Sequence, residues 1–472
     1  MTKDRSHQGA SMSLTVSLMQ YPSNPATHMA KHAAGVCKNP HIPEMGAPGV
    51  DVRKGLFQVS HHTTLSHTNL TFAIDGLSVN GFTFGAHLAN IYYNSDQRSG
   101  RFCNDMFGNP DIAALTEHMQ TYWTLDAKQL EAALSFIKKG LHLYASHLDE
   151  STQLMKLWAK EERPYIKMDV LEKSGARNFA QEQLRMLVPT IFPSGTDITL
   201  SLTAIFSLWH TAHSPEMRAL TDKMRDIVLE LWPDIGYMFD EQSRRAYDFV
   251  PKFTGTPHLS NEPVARFIGH TGDFRKIIVP DEQDMSPVDL LPYRPKYMDN
   301  NGIEVHSEIE YSVATMGQDQ RHRSIRRTEP RFTGGFYMPP VIEACVQKDV
   351  VLAYMEEWYT LRTLLPESLV LALAPYGAVV NYRKFAPING FAHEQAKRAC
   401  KLAQGEIRKG ALLLRESMLA SEVPGVEIAA ELIGSPCCRN GGICTEGVYY
   451  CGISLAAIRE GDLSACFGPF KV

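Results

Sequence analysis

A set of polar residues along one stretch of this chain recurs, thinned, in a second stretch far downstream, and each stretch keeps what the other has lost. The first runs through Leu65, His67, Asn69, Phe72 and Gly76 to Tyr93 and Asn94, and then to Ser99-Gly100-Arg101-Phe102. The second runs from Ser312 through Gln318, Arg321, His322 and Arg323 to Arg331 and Phe332. Arg185-Met186-Leu187-Val188-Pro189 is echoed by Arg362-Thr363-Leu364-Leu365-Pro366, and Glu216-Met217-Arg218 by Glu406-Ile407-Arg408. In 472 residues a doubled pattern predicts two related domains. It has a functional corollary: a site assembled from several protomers needs each residue only once when two protomers are fused.

Local patterns set the fold class at α+β. Residues 14–18 form a short β-rich run ended by Pro22-Ser23-Asn24-Pro25. Residues 68–75 alternate, with Leu70, Phe72 and Ile74 on one face, which predicts a half-buried strand. Asp126, with Gln129 three residues on, predicts a capped helix to about Leu143, and residues 217–231 have helical periodicity. The Pro- and Gly-rich stretch 236–300 reads as a connector, with a stunted strand of the second unit within it. A strand over 308–314, a helix over 345–365 and a long helix over 394–419 follow. No Gly-x-Gly-x-x-Gly follows a strand, so a doubly wound dinucleotide fold is not expected.

A net charge of −5 gives no general nucleic-acid or membrane-surface signature, so anion binding must come from local arginines. No run approaches the roughly 18–20 apolar residues of a membrane span, and the first residues carry no apolar signal core. A cytoplasmic chain with no membrane or nucleic-acid partner is expected. Nine cysteines in this length do not make a disulfide framework. Five of them (Cys437, Cys438, Cys444, Cys451, Cys466) crowd the tail without a clean Cys-x-x-Cys pair, and no metal site is assigned. His61, His62 and His67 likewise lack acidic or cysteine partners at metal-ligand spacing. The arginines between 318 and 331 suit phosphate, pyrophosphate or carboxylate; the alternatives for such a run are a solvated basic loop or a nucleic-acid patch.

Gln318-x-x-Arg321-His322-Arg323 followed by Arg331-Phe332 resembles the flavin-dependent thymidylate synthases, which methylate dUMP without a cysteine nucleophile. Further fragments fall in that family's order: Tyr21 to Pro25, His62 to His67, Arg362 to Pro366, Asn381-Tyr382-Arg383, and His393, Arg398, Gln404, Glu406 and Arg408. The resemblance covers residues 13–235 and 301–425. It implies two tandem thymidylate synthase-like domains over those ranges, forming a pseudo-dimer, with 236–300 as connector and 426–472 as a cysteine-rich tail. A homodimer of tandem chains would then imitate a tetramer.

The resemblance also implies roles. Arg321, His322 and Arg323 would line FAD, with His67, Asn381, Arg383 and His393 as further flavin contacts. Gln318 and Arg321 would touch the nucleotide, and Arg331 and Arg362 sit at substrate-binding positions. Around Arg331 the phosphate loop departs from the family pattern, whereas Ser99 and Arg101 keep it intact. The first half would therefore supply Ser99, Arg101 and Arg185 to a site holding Gln318, Arg321 and Arg398. Arg185, Arg321 and Arg398 are the implied catalytic residues, with Arg185 or Arg398 stabilising charge on the uracil carbonyls. The implied reaction is C5 methylation of a uracil nucleotide using FAD, methylenetetrahydrofolate and NADPH. The alternatives are a non-catalytic flavin- or nucleotide-binding pseudoenzyme, or a relative acting on a different pyrimidine nucleotide.

Overall fold

The computed structural model describes residues 13–88, 93–98, 107, 110–163, 165, 171–244, 252–281, 293–398, 405–433 and 471. In chain order these form β1 (Thr15–Gln20), α1 (Ala26–Val36), β2 (Asn69–Ser78), β3 (Tyr93–Gln97), α2 (Ile112–Tyr122) and α3 (Ala127–Glu162). Next come α4 (Ala176–Leu184), β4 (Pro193–Ser201), α5 (Leu202–Thr211), α6 (Pro215–Leu231), β5 (His258–Ser260), β6 (Val264–Thr271), β7 (Glu304–Ser312) and α7 (Val313–Asp319). The rest are β8 (Arg326–Arg327), β9 (Arg331–Tyr337), α8 (Pro340–Cys345), α9 (Lys348–Leu361), α10 (Glu367–Ala372), β10 (Ala378–Pro387), α11 (Ile388–Arg398), α12 (Gly405–Leu419) and α13 (Val426–Ile433). The mixture is α+β. Among the described residues no helix is long and apolar enough to cross a membrane.

Two compact units emerge, and each draws on both ends of the chain. The first takes residues 1–134, 190–250 and 361–374; the second takes 135–189, 251–360 and 375–472. The first unit holds a four-stranded sheet in the order β1-β2-β4-β3, all antiparallel. Along the second unit's sheet, β6-β7-β10-β9 repeats that order with the same antiparallel pairing, and β5 and β8 are additions. Strand β6 lies in the stretch read as a connector, so that stretch contributes a full edge strand.

Register makes the repetition specific to single residues. Ser78 lies opposite Pro193 and Ser312 opposite Val379. Equating the two serines equates Gly195 with Asn381, Asp197 with Arg383, Pro189 with Pro375 and Arg185 with Leu371. Backbone bonds agree: Thr190 N donates to the Ala374 carbonyl in the first unit, and Tyr376 N donates to the Val188 carbonyl in the second. The counterparts of Asn381 and Arg383 are therefore Gly195 and Asp197. Arg362 is likewise not the structural counterpart of Arg185, although the two motifs read alike.

Most elements follow from the sequence physics. In β2, Leu70, Phe72 and Ile74 are buried and Asn69 is exposed. The predicted capping box at Asp126 forms, with Gln129 N donating to Asp126 Oδ1 at 2.8 Å and Asp126 N to Gln129 Oε1 at 3.0 Å. The helix it starts does not stop near Leu143 but continues to Glu162. Strand β7 ends at Ser312 because that residue caps α7, its Oγ accepting from Thr315 N at 3.2 Å. The helix expected over 345–365 forms as α9 (Lys348–Leu361), starting a few residues later because Val346 is extended after the short α8. The one expected over 394–419 is helical over its described residues, as the end of α11 and as α12, with 399–404 outside the described residues.

Within the second unit, α3 meets α9 through a stacked pair, Phe136 on Tyr354, ring centroids 4.5 Å apart. Gly140 lets the helix approach so closely: a Cβ there would stand 2.5 Å from Tyr354 Oη and 2.6 Å from the Leu187 carbonyl oxygen. Alanine is worth about 1 kcal/mol over glycine in a helix, and overpacking costs about 1–3 kcal/mol. Gly140→Ala is therefore expected to lower stability in urea unfolding; a more stable variant would show that the contact is not tight.

Candidate functional site

The site begins with a buried carboxylate. Glu406, in the first turn of α12, accepts from Ser312 N and Ser312 Oγ, both at 2.6 Å, and from Thr315 Oγ1 at 2.6 Å. These bonds tie the end of β7 and the start of α7 to α12. Burial pushes the Glu406 carboxyl up to about 7, against the opposing pull of its Ser312 and Thr315 bonds. The first unit repeats the arrangement with Glu216 on α6: Ser78 N donates to it at 2.5 Å and Ser78 Oγ at 2.6 Å.

Beside Glu406 in the second unit opens a small cavity, with room for about 70 Å3 of solvent at its centre. Its walls include Arg185, Thr315, Gln318, Tyr337, Glu406 and Arg408. Arg185 arrives at the end of α4, where Gly377 N donates to the Met186 carbonyl and Tyr376 N to the Val188 carbonyl. Its guanidinium carbon sits 5.2 Å from the centroid of the Tyr376 ring, and the side chain is buried. Arg408 is buried as well. The lining carries four cationic groups (Arg185, Arg408, Lys409, Lys471) and two carboxylates (Glu182, Glu406), so the excess charge is positive and suits an anion.

Directly after α7 comes the Arg321-His322-Arg323 segment, held from beneath by a buried ionic network. Asp319 Oδ1 meets Lys384 Nζ at 2.7 Å, and Asp319 Oδ2 meets Arg327 Nε at 2.6 Å and the Tyr382 hydroxyl at 2.9 Å. Arg327 also donates to the carbonyls of His322 and Ile325, which closes the loop. Lys384 Nζ continues to Glu394 Oε2 at 2.6 Å. Burial alone would raise Asp319, but Arg327 and Lys384 outweigh it and hold that carboxyl well below its usual range. Burial, with the neighbouring Asp319 charge, lifts Glu394 to about 8 despite Lys384. Arg327 and Arg326, counted in sequence with the cationic run, are engaged by Asp319 and Glu304. His322 is buried, while Arg321 and Arg323 are half-buried.

Of the residues expected at the site, the cavity gathers Arg185 and Gln318. Asn381 and Arg331 lie opposite each other on β10 and β9, outside the cavity lining; Asn381 Nδ2 donates to Glu310 Oε1 at 3.3 Å. Arg331 and Arg383 are exposed. Arg362 and His67 are exposed and belong to the first unit. Ser99 and Arg101 lie outside the described residues, as do the side chains of His393 and Arg398 on α11. Thr315, Tyr337, Glu406 and Arg408 were not singled out as site residues from sequence. The signal that could have found two of them was Glu-x-Arg surviving in both copies.

Register locates the corresponding positions in the first unit, and they are apolar or blocked. Arg185 corresponds to Leu371, and Gln318, six residues beyond its serine, to Phe84; both are buried. Thr315 corresponds to Gly81, whose backbone N donates to Ser78 Oγ at 2.9 Å. His118 Nε2 stands 3.4 Å from Glu216 Oε1, with both side chains buried. Arg218, the counterpart of Arg408, is exposed.

No family model and no curated protein matches the chain in sequence. Solved structures do resemble it. Thymidylate synthase X (ThyX) from Helicobacter pylori, solved with FAD and dUMP, is 16% identical, covers 49% of this chain and 100% of its own, and gives a TM-score of 0.31. The UMP/dUMP methylase PolB from Streptomyces cacaoi, bound with 5-bromo-UMP, is 15% identical, covers 50% of this chain and 97% of its own, and gives 0.32. At such identity and overlap, the likeness assigns no activity to this chain.

Two outcomes test the electrostatics. Glu406 ionises at about 7 in the folded chain and near its ordinary 4.5 when unfolded, so stability falls as pH rises between those values and levels off above them. Relative to wild type, Glu406→Gln should gain on the order of 2–3 kcal/mol between pH 4 and 8 in urea unfolding, and a pH-independent difference would refute the assignment. Asp319→Asn should cost about 3–5 kcal/mol, because two buried cations lose their partner. A loss below about 1 kcal/mol in the same assay would mean the network does not anchor the loop.

Proposed function

We propose that the second unit binds a uracil nucleotide in this cavity and, with FAD and methylenetetrahydrofolate, methylates its pyrimidine at C5. The observation that carries the reading is the convergence of Arg185, from the first part of the sequence, with Gln318, Thr315 and Arg408 from the second, around one positively charged cavity. The motif resemblance and this convergence point the same way. We also read the two halves of the sequence as copies of one ancestral domain, fused as a pseudo-dimer, the second copy starting no later than β6 instead of at residue 301, with two such chains pairing.

The roles follow from chemistry. Arg185 is buried, permanently charged and stacked near Tyr376, so it is pre-positioned to stabilise negative charge developing on a uracil carbonyl. Gln318 offers both donor and acceptor to the pyrimidine edge. Guanidinium forks suit a pyrophosphate, so Arg321, Arg323 and Arg383 would hold FAD, with Asn381 beside them, and Arg331 would meet the substrate phosphate. When bound, the flavin supplies the hydride that converts the transferred one-carbon unit to methyl, with NADPH as the source of reducing power.

The decisive assay incubates the chain with FAD, NADPH, methylenetetrahydrofolate and UMP or dUMP and reads product mass. Replacement of one ring hydrogen by a methyl group supports the reading. Unaltered nucleotide that nevertheless binds would make the chain a nucleotide-binding relative without this activity. Arg185→Ala should weaken UMP binding at least about tenfold, because a charge-assisted contact is lost, while Arg362→Ala leaves it unchanged. Because Leu371 and Phe84 occupy the positions of Arg185 and Gln318, and His118 faces Glu216, calorimetry should count one UMP per chain; two would contradict a single working cavity.

A further inference from the structure

Lys471 stands at the rim of the cavity, beyond a stretch of the tail to which no role attaches. Its backbone is held from both sides. Lys471 N donates to the Glu162 carboxylate at 2.9 and 3.1 Å, and its carbonyl accepts from Gln183 Nε2 at 2.7 Å. Gln183 is itself fixed, since its Oε1 accepts from Val341 N at 2.8 Å. Gln183 and Lys471 both line the cavity that holds Arg185 and Arg408. The Lys471 ammonium rests 4.9 Å from the centroid of the Trp158 ring, one helical turn before Glu162 on α3.

We infer that Lys471 is an anion-binding residue of this cavity, delivering its ammonium to the phosphate of the bound ligand. The inference rests on the nucleotide reading above for the identity of that ligand. A clamped backbone leaves the four-carbon stem as the moving part. An exposed cation on an aromatic face is held more weakly than an ammonium in a charge-assisted bond to phosphate, so the side chain exchanges ring for phosphate when the ligand enters. The lysine adds a mobile point charge to the fixed forks of Arg185 and Arg408.

Calorimetric titration of the whole chain with UMP, uridine and inorganic pyrophosphate tests this. Lys471→Ala should weaken UMP about tenfold and leave uridine unchanged, Lys471→Arg should retain binding, and the salt dependence of UMP binding should become shallower in the alanine variant. Equal UMP affinity in wild type and Lys471→Ala overturns the inference and leaves the nucleotide reading standing. Pyrophosphate binding that depends on Lys471, in a wild type that takes neither UMP nor uridine, sinks the nucleotide reading and keeps the anion site. A wild type that binds none of the three overturns both.

Discussion

Everything at the cavity hangs on one buried carboxylate. Glu406 accepts three bonds from Ser312 and Thr315, and so fixes where β7 ends, where α7 begins and how α12 lies against them. A carboxylate taken out of water is costly unless its lone pairs are filled, and here they are filled by the backbone and hydroxyls it positions. From that fixed start, α7 carries Gln318 into the cavity, and the loop after it is tied down by Arg327, Asp319 and Lys384. Glu216 and Ser78 make the same bonds in the first unit, so one physical device organises both sheets.

The two units differ in what surrounds that device. In the second, Arg185, Gln318 and Arg408 leave a charged, open cavity. In the first, leucine, phenylalanine and a histidine against the carboxylate take the matching places. The second unit also takes its arginine from residues 135–189, while 361–374 belong to the first. Where the second unit has Arg185 and Gln318, the first has the buried Leu371 and Phe84.

Much of the fold was legible from periodicity. The alternation of Leu70, Phe72 and Ile74, the Asp126–Gln129 box and the helix after Ser214 all formed as their chemistry dictates. What was not legible were the equivalences between copies. Arg362-Thr363-Leu364-Leu365-Pro366 reads like the Arg185 motif, yet strand register pairs Arg185 with Leu371, because spatial equivalence is set by hydrogen-bond partners and not by local spelling. The basic run also misled in part. Arg326 and Arg327 look like anion binders in one dimension, but their acidic partners, Glu304 and Asp319, come from β7 and α7. At the cavity, Arg185 and Gln318 are lining residues that motif order had singled out, whereas Tyr337 and Thr315 reach the wall through packing that no motif marks.

The central claim is that side chains from both parts of the sequence surround one pyrimidine nucleotide in the second unit. Anomalous diffraction from crystals soaked with 5-bromo-UMP addresses it most directly, since bromine marks the pyrimidine C5. The account predicts one bromine peak per chain, with the uracil ring in contact with Arg185 and Gln318. A peak beside Leu371 and Phe84, or none near Arg185 in a crystal that has bound the nucleotide, would contradict it.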